Sequence, residues 1–126
     1  MNKKTGILFA ILLLFLTACS SETYIYSGET DNWSAELKVI QTSNDFETQE
    51  LALRYVGEDV NSVGDINYVV DSVGNFSRNG ATLSESGTLS DKSESNPTNA
   101  QITNDTEMIM TIEWNDKKES FTLDKK

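Results

Sequence analysis

Trp33-Ser-Ala-Glu-Leu-Lys-Val39 decides the fold class. Trp33, Ala35, Leu37 and Val39 share one face and Ser34, Glu36 and Lys38 the other, the period-2 pattern of a strand with one side in a core and one in water. The same alternation recurs downstream. Leu51, Leu53 and Tyr55 stand against Ala52 and Arg54. Ile66, Tyr68 and Val70 stand against Asn67 and Asp71, with Val69 facing outward. Tyr24-Ile25-Tyr26 is a short first strand, and Ala81 to Leu89 hold one or two weak strands broken by Gly87. Helical periodicity is absent from Tyr24 onward.

Turn chemistry separates these runs at Ser27-Gly28, Ser43-Asn44-Asp45, Gly57-Glu58-Asp59, Ser72-Val73-Gly74-Asn75 and Asn79-Gly80. The C-terminal segment Thr106 to Asp124 is a hairpin. A two-residue turn at Asn115-Asp116 sets Trp114 against Lys117, Met110 against Phe121 and Met108 against Leu123, with Glu113 meeting Lys118 outside. That register leaves Ile112 opposite Glu119. A four-residue loop pairs Ile112 with Phe121 and Met110 with Leu123 instead. Both registers keep the same residues inward because they differ by two. About seven to eight short strands at this spacing indicate an all-β antiparallel sandwich, immunoglobulin-like. The Ser-, Thr-, Asn- and Glu-rich stretch 84–105, which includes Pro97, reads as a long edge excursion with few apolar anchors.

The chain of 126 residues suits one domain. It carries 10 Lys plus Arg against 20 Asp plus Glu, a formal charge of −10, no histidine and one cysteine. His-dependent nucleophile triads, Cys-rich zinc sites and internal disulfides are therefore outside its chemistry. So large an acidic excess also argues against nucleic acid, whose phosphates demand Lys and Arg.

The N-terminus is organised differently. Met1 to Lys4 form a positive start, Ile7 to Leu16 form an unbroken apolar run, and Leu16-Thr17-Ala18-Cys19 follows. Ten residues make about 15 Å of helix, half of a ~30 Å hydrocarbon core, so this is an export signal and not a span. The tetrapeptide resembles the lipobox of bacterial lipoproteins. That resemblance implies cleavage before Cys19 and diacylglycerol on its thiol, with two or more acyl chains giving stable anchoring. The expected organisation is a signal peptide over 1–18, a lipidated tether over 19–23 and a β-sandwich domain over 24–126. The protein is expected at the cell membrane, on its extracytoplasmic face.

Tyr26-Ser-Gly-Glu29, Asn32-Trp33, the Leu51-x-Leu53-x-Tyr55-x-Gly57 run and Ile112-Glu-Trp-Asn115 jointly resemble small lipoproteins of Gram-positive bacteria. That family carries Gly where this chain has Asp116. The resemblance implies a lipid-anchored β-sandwich and transfers no catalytic residue.

Other candidate sites are weaker. Glu58, Asp59, Asn61, Asp65 and Asp71 offer oxygen ligands of the kind Ca²⁺ takes. Read as an EF-hand loop from Asp59, however, the fifth and twelfth positions are Val63 and Val70, so a solvated acidic loop is the reading preferred, with no metal site. Trp33 and Trp114 suit sugar stacking in principle, but their strand phase places them among core residues. Twenty acids allow many chance carboxylate pairs. The reading is thus a binding or interaction module needing no cofactor and not an enzyme. It is anchored to membrane lipid through Cys19, and its partner is a protein or a cell-wall polymer. The alternative is a small carboxylate-dependent hydrolase at the cell envelope.

Overall fold

A computed structural model describes residues 21–42, 46–73, 75–95 and 102–126. The expected signal peptide, Cys19, the turn at 43–45 and Pro97 lie outside the described residues. Eight strands follow in chain order: β1 Glu22–Glu29, β2 Trp33–Gln41, β3 Glu47–Tyr55, β4 Asp65–Asp71, β5 Phe76–Thr82, β6 Thr88–Ser95, β7 Met108–Trp114 and β8 Lys117–Lys125. One turn of 3-10 helix, Val60–Ser62, sits between β3 and β4. All pairings are antiparallel. The strands form one sheet in the order β5-β4-β7-β8-β1-β2-β3-β6, nearly closed into a barrel.

The alternations read from sequence set the inner face. Trp33, Ala35, Leu37 and Val39 are all buried, as are Leu51 and Leu53, Ile66, Tyr68 and Val70, and Met108, Met110, Ile112 and Trp114. Each fully buried aliphatic side chain contributes roughly 1.5–3 kcal/mol relative to exposure. One end of the core is aromatic: Trp33 meets Tyr55 at 5.1 Å and Trp114 at 5.3 Å between ring centroids, edge to face in both cases.

The hairpin takes the two-residue turn, with Trp114 opposite Lys117 and Ile112 opposite Glu119. Asn115 and Asp116 have φ of 47° and 60°, the positive pair that a type I′ turn requires. Glu119, the polar residue this register turns toward the core, is bonded there: its Oε2 accepts from Asn32 Nδ2 at 2.5 Å.

Three segments differ from the sequence reading. Strand β1 starts at Glu22, two residues before Tyr24, and runs on through Gly28. Asn79-Gly80 is a kink inside β5 and no turn. The β4–β5 register shifts between Ile66 and Tyr68, Gly80 has φ of 68°, and its N–H donates to Asn67 Oδ1 at 2.8 Å. Finally, Thr88–Ser95 is a full edge strand where an excursion was expected. It pairs with β3 over eight residues through its backbone, while most of its side chains remain in water, so no apolar alternation marked it.

The sheet is joined at its middle by a short contact. Strands β1 and β8 pair only at Tyr26↔Lys125 and Ser27↔Asp124, and the N–H of Lys126 donates to the Ile25 carbonyl at 2.8 Å. Gly28 permits this approach, since a Cβ there would stand 2.5 Å from the Thr122 carbonyl oxygen.

Candidate functional site

Two features lie at the sheet's free edges. Strands β5 and β6 are consecutive, and the Ser84 N–H donates to the Thr88 carbonyl at 2.8 Å where the connection starts them side by side. Further along, side chains span the seam. Arg78 of β5 donates through Nε to Asp91 Oδ2 at 2.5 Å and through Nη2 to Oδ1 at 2.7 Å. The Tyr68 hydroxyl, from β4, donates to the same Asp91 Oδ2.

Burial pulls the Asp91 carboxyl upward, but the hydrogen bonds from Arg78, Tyr68 and the Lys92 N–H, with the Arg78 charge, outweigh it and hold the group below its ordinary 3.8. Burial first, and then the bond to Asp91, push the Tyr68 hydroxyl well above its ordinary range. The guanidinium, carboxylate and phenol therefore stay charged, charged and neutral at physiological pH.

Beside this latch, the outer face of β2, β3 and β6 forms an open groove of about 520 Å³, lined by Glu36, Lys38, Glu50, Ala52, Ser90 and Lys92 among others. Strand registry explains its shape. Glu36, Ala52 and Ser90 form one cross-strand row, and Lys38, Glu50 and Lys92 form the next. The small side chains of Ala52 and Ser90 lower the floor beside a row alternating in charge. At one margin Lys126 Nζ lies 3.2 Å from Glu36 Oε2, and at the other Lys92 Nζ lies 3.1 Å from Glu94 Oε1. Such a surface suits a ligand carrying both signs of charge.

The acidic residues named from sequence do not converge. Asp59 Oδ1 accepts the Asn61 N–H at the start of the 3-10 turn, Asp65 Oδ1 accepts the Thr82 hydroxyl at 3.1 Å, and Asp71 lies at the other end of β4. Among the described residues no three His, Cys, Asp or Glu side chains gather as a metal site would need. Trp33 and Trp114 are buried in the aromatic end of the core.

Sequence reasoning missed the latch and the groove. Ala52 was the available signal for the groove: a small residue at an outward position between the outward-facing charges of Glu50 and Arg54 on the same strand. Arg78 and Asp91 carried no signal, because both lie in polar stretches without periodicity.

Besides that of Asp91, the carboxylates of Glu47 and Glu119 are drawn inward. Glu47 is buried, and its Oε1 accepts from the Ile102 N–H at 3.1 Å and from Gln41 Nε2 at 3.0 Å. Glu119 has one oxygen on Asn32, while its buried Oε1 has no hydrogen-bond partner among the described residues. No helix among the described residues is long and apolar enough to cross a membrane. Comparison with protein-family models, curated proteins and solved structures finds no match.

Proposed function

We propose that this protein is a lipoprotein of the extracytoplasmic membrane face, held by acyl chains on Cys19, whose domain acts as a binding module through the groove on β2, β3 and β6. The groove carries the reading: it lies within the ~300–1,000 Å³ range of ligand sites, and its rim offers both signs of charge. A wall polymer bearing amino and carboxylate groups, or a segment of an envelope protein, has the matching chemistry. The anchoring half rests on the lipobox Leu16-Thr17-Ala18-Cys19.

The fold that accompanies this reading is a two-layer sandwich, immunoglobulin-like in strand number. Strands β1, β2, β3 and β6 make one layer and β4, β5, β7 and β8 the other. The short β1–β8 joint and the contact of Trp33 with Trp114 across the core support that division.

The test has two arms. Cys19→Ser should release the protein from the membrane fraction or leave it unprocessed, and mass spectrometry of the mature protein should find a lipid-modified Cys19 at its N-terminus. Ala52→Trp should fill the groove from its exposed floor, abolishing crosslinks to the partner in native membranes while leaving the melting temperature unchanged. Crosslinks that persist in Ala52→Trp place the partner elsewhere.

A second reading, the small carboxylate-dependent hydrolase, is favoured by one observation: Glu119, opposite Ile112, has a buried oxygen with no hydrogen-bond partner among the described residues. Glycoside or ester hydrolysis lost in Glu119→Gln would support it.

A further inference from the structure

Among the described residues four large hydrophobic side chains are exposed: Phe46 at 39%, Val56 at 41%, Val73 at 53% and Ile109 at 37%. Three of them share one end of the barrel, and a chain of contacts traces that end continuously. Glu22, at the start of β1, pairs with Gln41. Gln41 Nε2 donates to Glu47 Oε1 at 3.0 Å and also to the Ile102 carbonyl, which brings in Phe46 as the neighbour of Glu47. Beyond Ile102, the Thr103 N–H donates to Thr106 Oγ1 at 2.8 Å. Thr106 in turn lines a depression with Val73 and Ile109. The remaining one, Val56, lies at the opposite end, where its N–H donates to the Asn32 carbonyl at 2.8 Å.

We propose that the end carrying Phe46, Val73 and Ile109 rests on the lipid surface, the three side chains touching the boundary between headgroups and acyl chains. This rests on the reading of Cys19 as the anchor. The chain enters the domain at this end. With β1 beginning at Glu22, three residues at ~3.3–3.6 Å each put the first strand within about 10–11 Å of Cys19. An end tied so closely meets the interface continually, and apolar side chains exposed there exchange water for lipid at each contact.

The acidic residues of the same end set the depth. Glu22, Asp71, Asp105 and Glu107 are all exposed there, and a negatively charged leaflet repels them. Contact is therefore limited to the apolar tips, and without the covalent anchor it is too weak to hold the domain.

The test uses the full mature, lipidated protein in vesicles of phosphatidylcholine and phosphatidylglycerol. Cys19 is the only cysteine in the sequence, so Phe46→Cys, Val73→Cys and Val56→Cys each add one labelling site for an environment-sensitive fluorophore. All three positions are exposed, and unchanged intrinsic tryptophan emission from Trp33 and Trp114 verifies folding. Labels at 46 and 73 should shift to the blue and lose roughly twofold or more of their emission in vesicles with brominated acyl chains, while the label at 56 should not respond. Silent labels at 46 and 73, or equal quenching at 56, overturn the inference and leave the anchor standing. Mass spectrometry of the same samples separates the two failures: a mature N-terminus without lipid overturns the anchor and this inference together.

Discussion

Arg78 and Asp91 form a bidentate ion pair, at 2.5 and 2.7 Å, between the two strands that terminate the sheet. Hydrogen bonding joins every other neighbouring pair of strands by at least two residues in register. Here the barrel is held by side chains, with the Tyr68 hydroxyl sharing the same carboxylate. The arrangement also blunts the free edges, since a charged pair and the kink at Gly80 oppose pairing with a foreign strand.

Removing the phenol should weaken this closure without emptying the core. Tyr68→Phe keeps the ring stacked near Phe76 and loses the bond to Asp91, so unfolding free energy should fall by about 1–2 kcal/mol. Urea denaturation followed by tryptophan emission measures it. An unchanged midpoint would show that the seam adds nothing to stability.

The pH dependence has a definite sign. The Asp91 carboxyl is held below its unfolded value of 3.8, so its stabilisation is complete above that value and disappears as pH falls through the folded one. The stability difference between wild type and Asp91→Asn should be constant between about pH 5 and 8 and shrink below about pH 4. A difference that grows on acidification would contradict the ion pair.

Asp116→Gly should stabilise the hairpin. Asp116 occupies φ of 60°, a region glycine enters without steric cost, and relief of that strain outweighs the added freedom of the unfolded chain by roughly 0.5–1 kcal/mol. Thermal melting gives the answer directly.

At Gly28 the expected effect is opposite. A methyl group would press on the Thr122 backbone oxygen, which cannot rotate away, so Gly28→Ala should destabilise by about 1–3 kcal/mol. Trp114→Ala, which empties part of the aromatic end, should cost roughly 3–5 kcal/mol. Both are read from chemical denaturation.

Strands that bury one face were legible because burial imposes alternation. Trp33 to Val39 show it without exception, and Met108 to Trp114 show it with Ile109 the one apolar residue facing out. Strand β6 was illegible for the converse reason: of its residues only Leu89 and Asp91 are even partly buried, and its backbone bonds to β3 require no particular side chain. The hairpin register was open because shifts of two preserve the inward set. The positive φ of Asn115 and Asp116 closes that choice, at a place where sequence offered Asn-Asp in place of the stronger Asn-Gly signal. The groove depends on three strands lying side by side in a particular register, information that no single stretch contains.

The β1–β8 joint makes the first strand of the domain wait for the last. Ser27 finds Asp124, and Ile25 finds Lys126, only when nearly the whole chain is present. Local hairpins such as β2–β3 and β7–β8 can form early, but ring closure spans almost the full length of the domain and is the slow, entropically demanding step. A chain delivered from its N-terminus thus remains incompletely folded until Asp124 to Lys126 emerge. Loss of Asp124, Lys125 and Lys126, none of them a core residue, would strike at assembly itself.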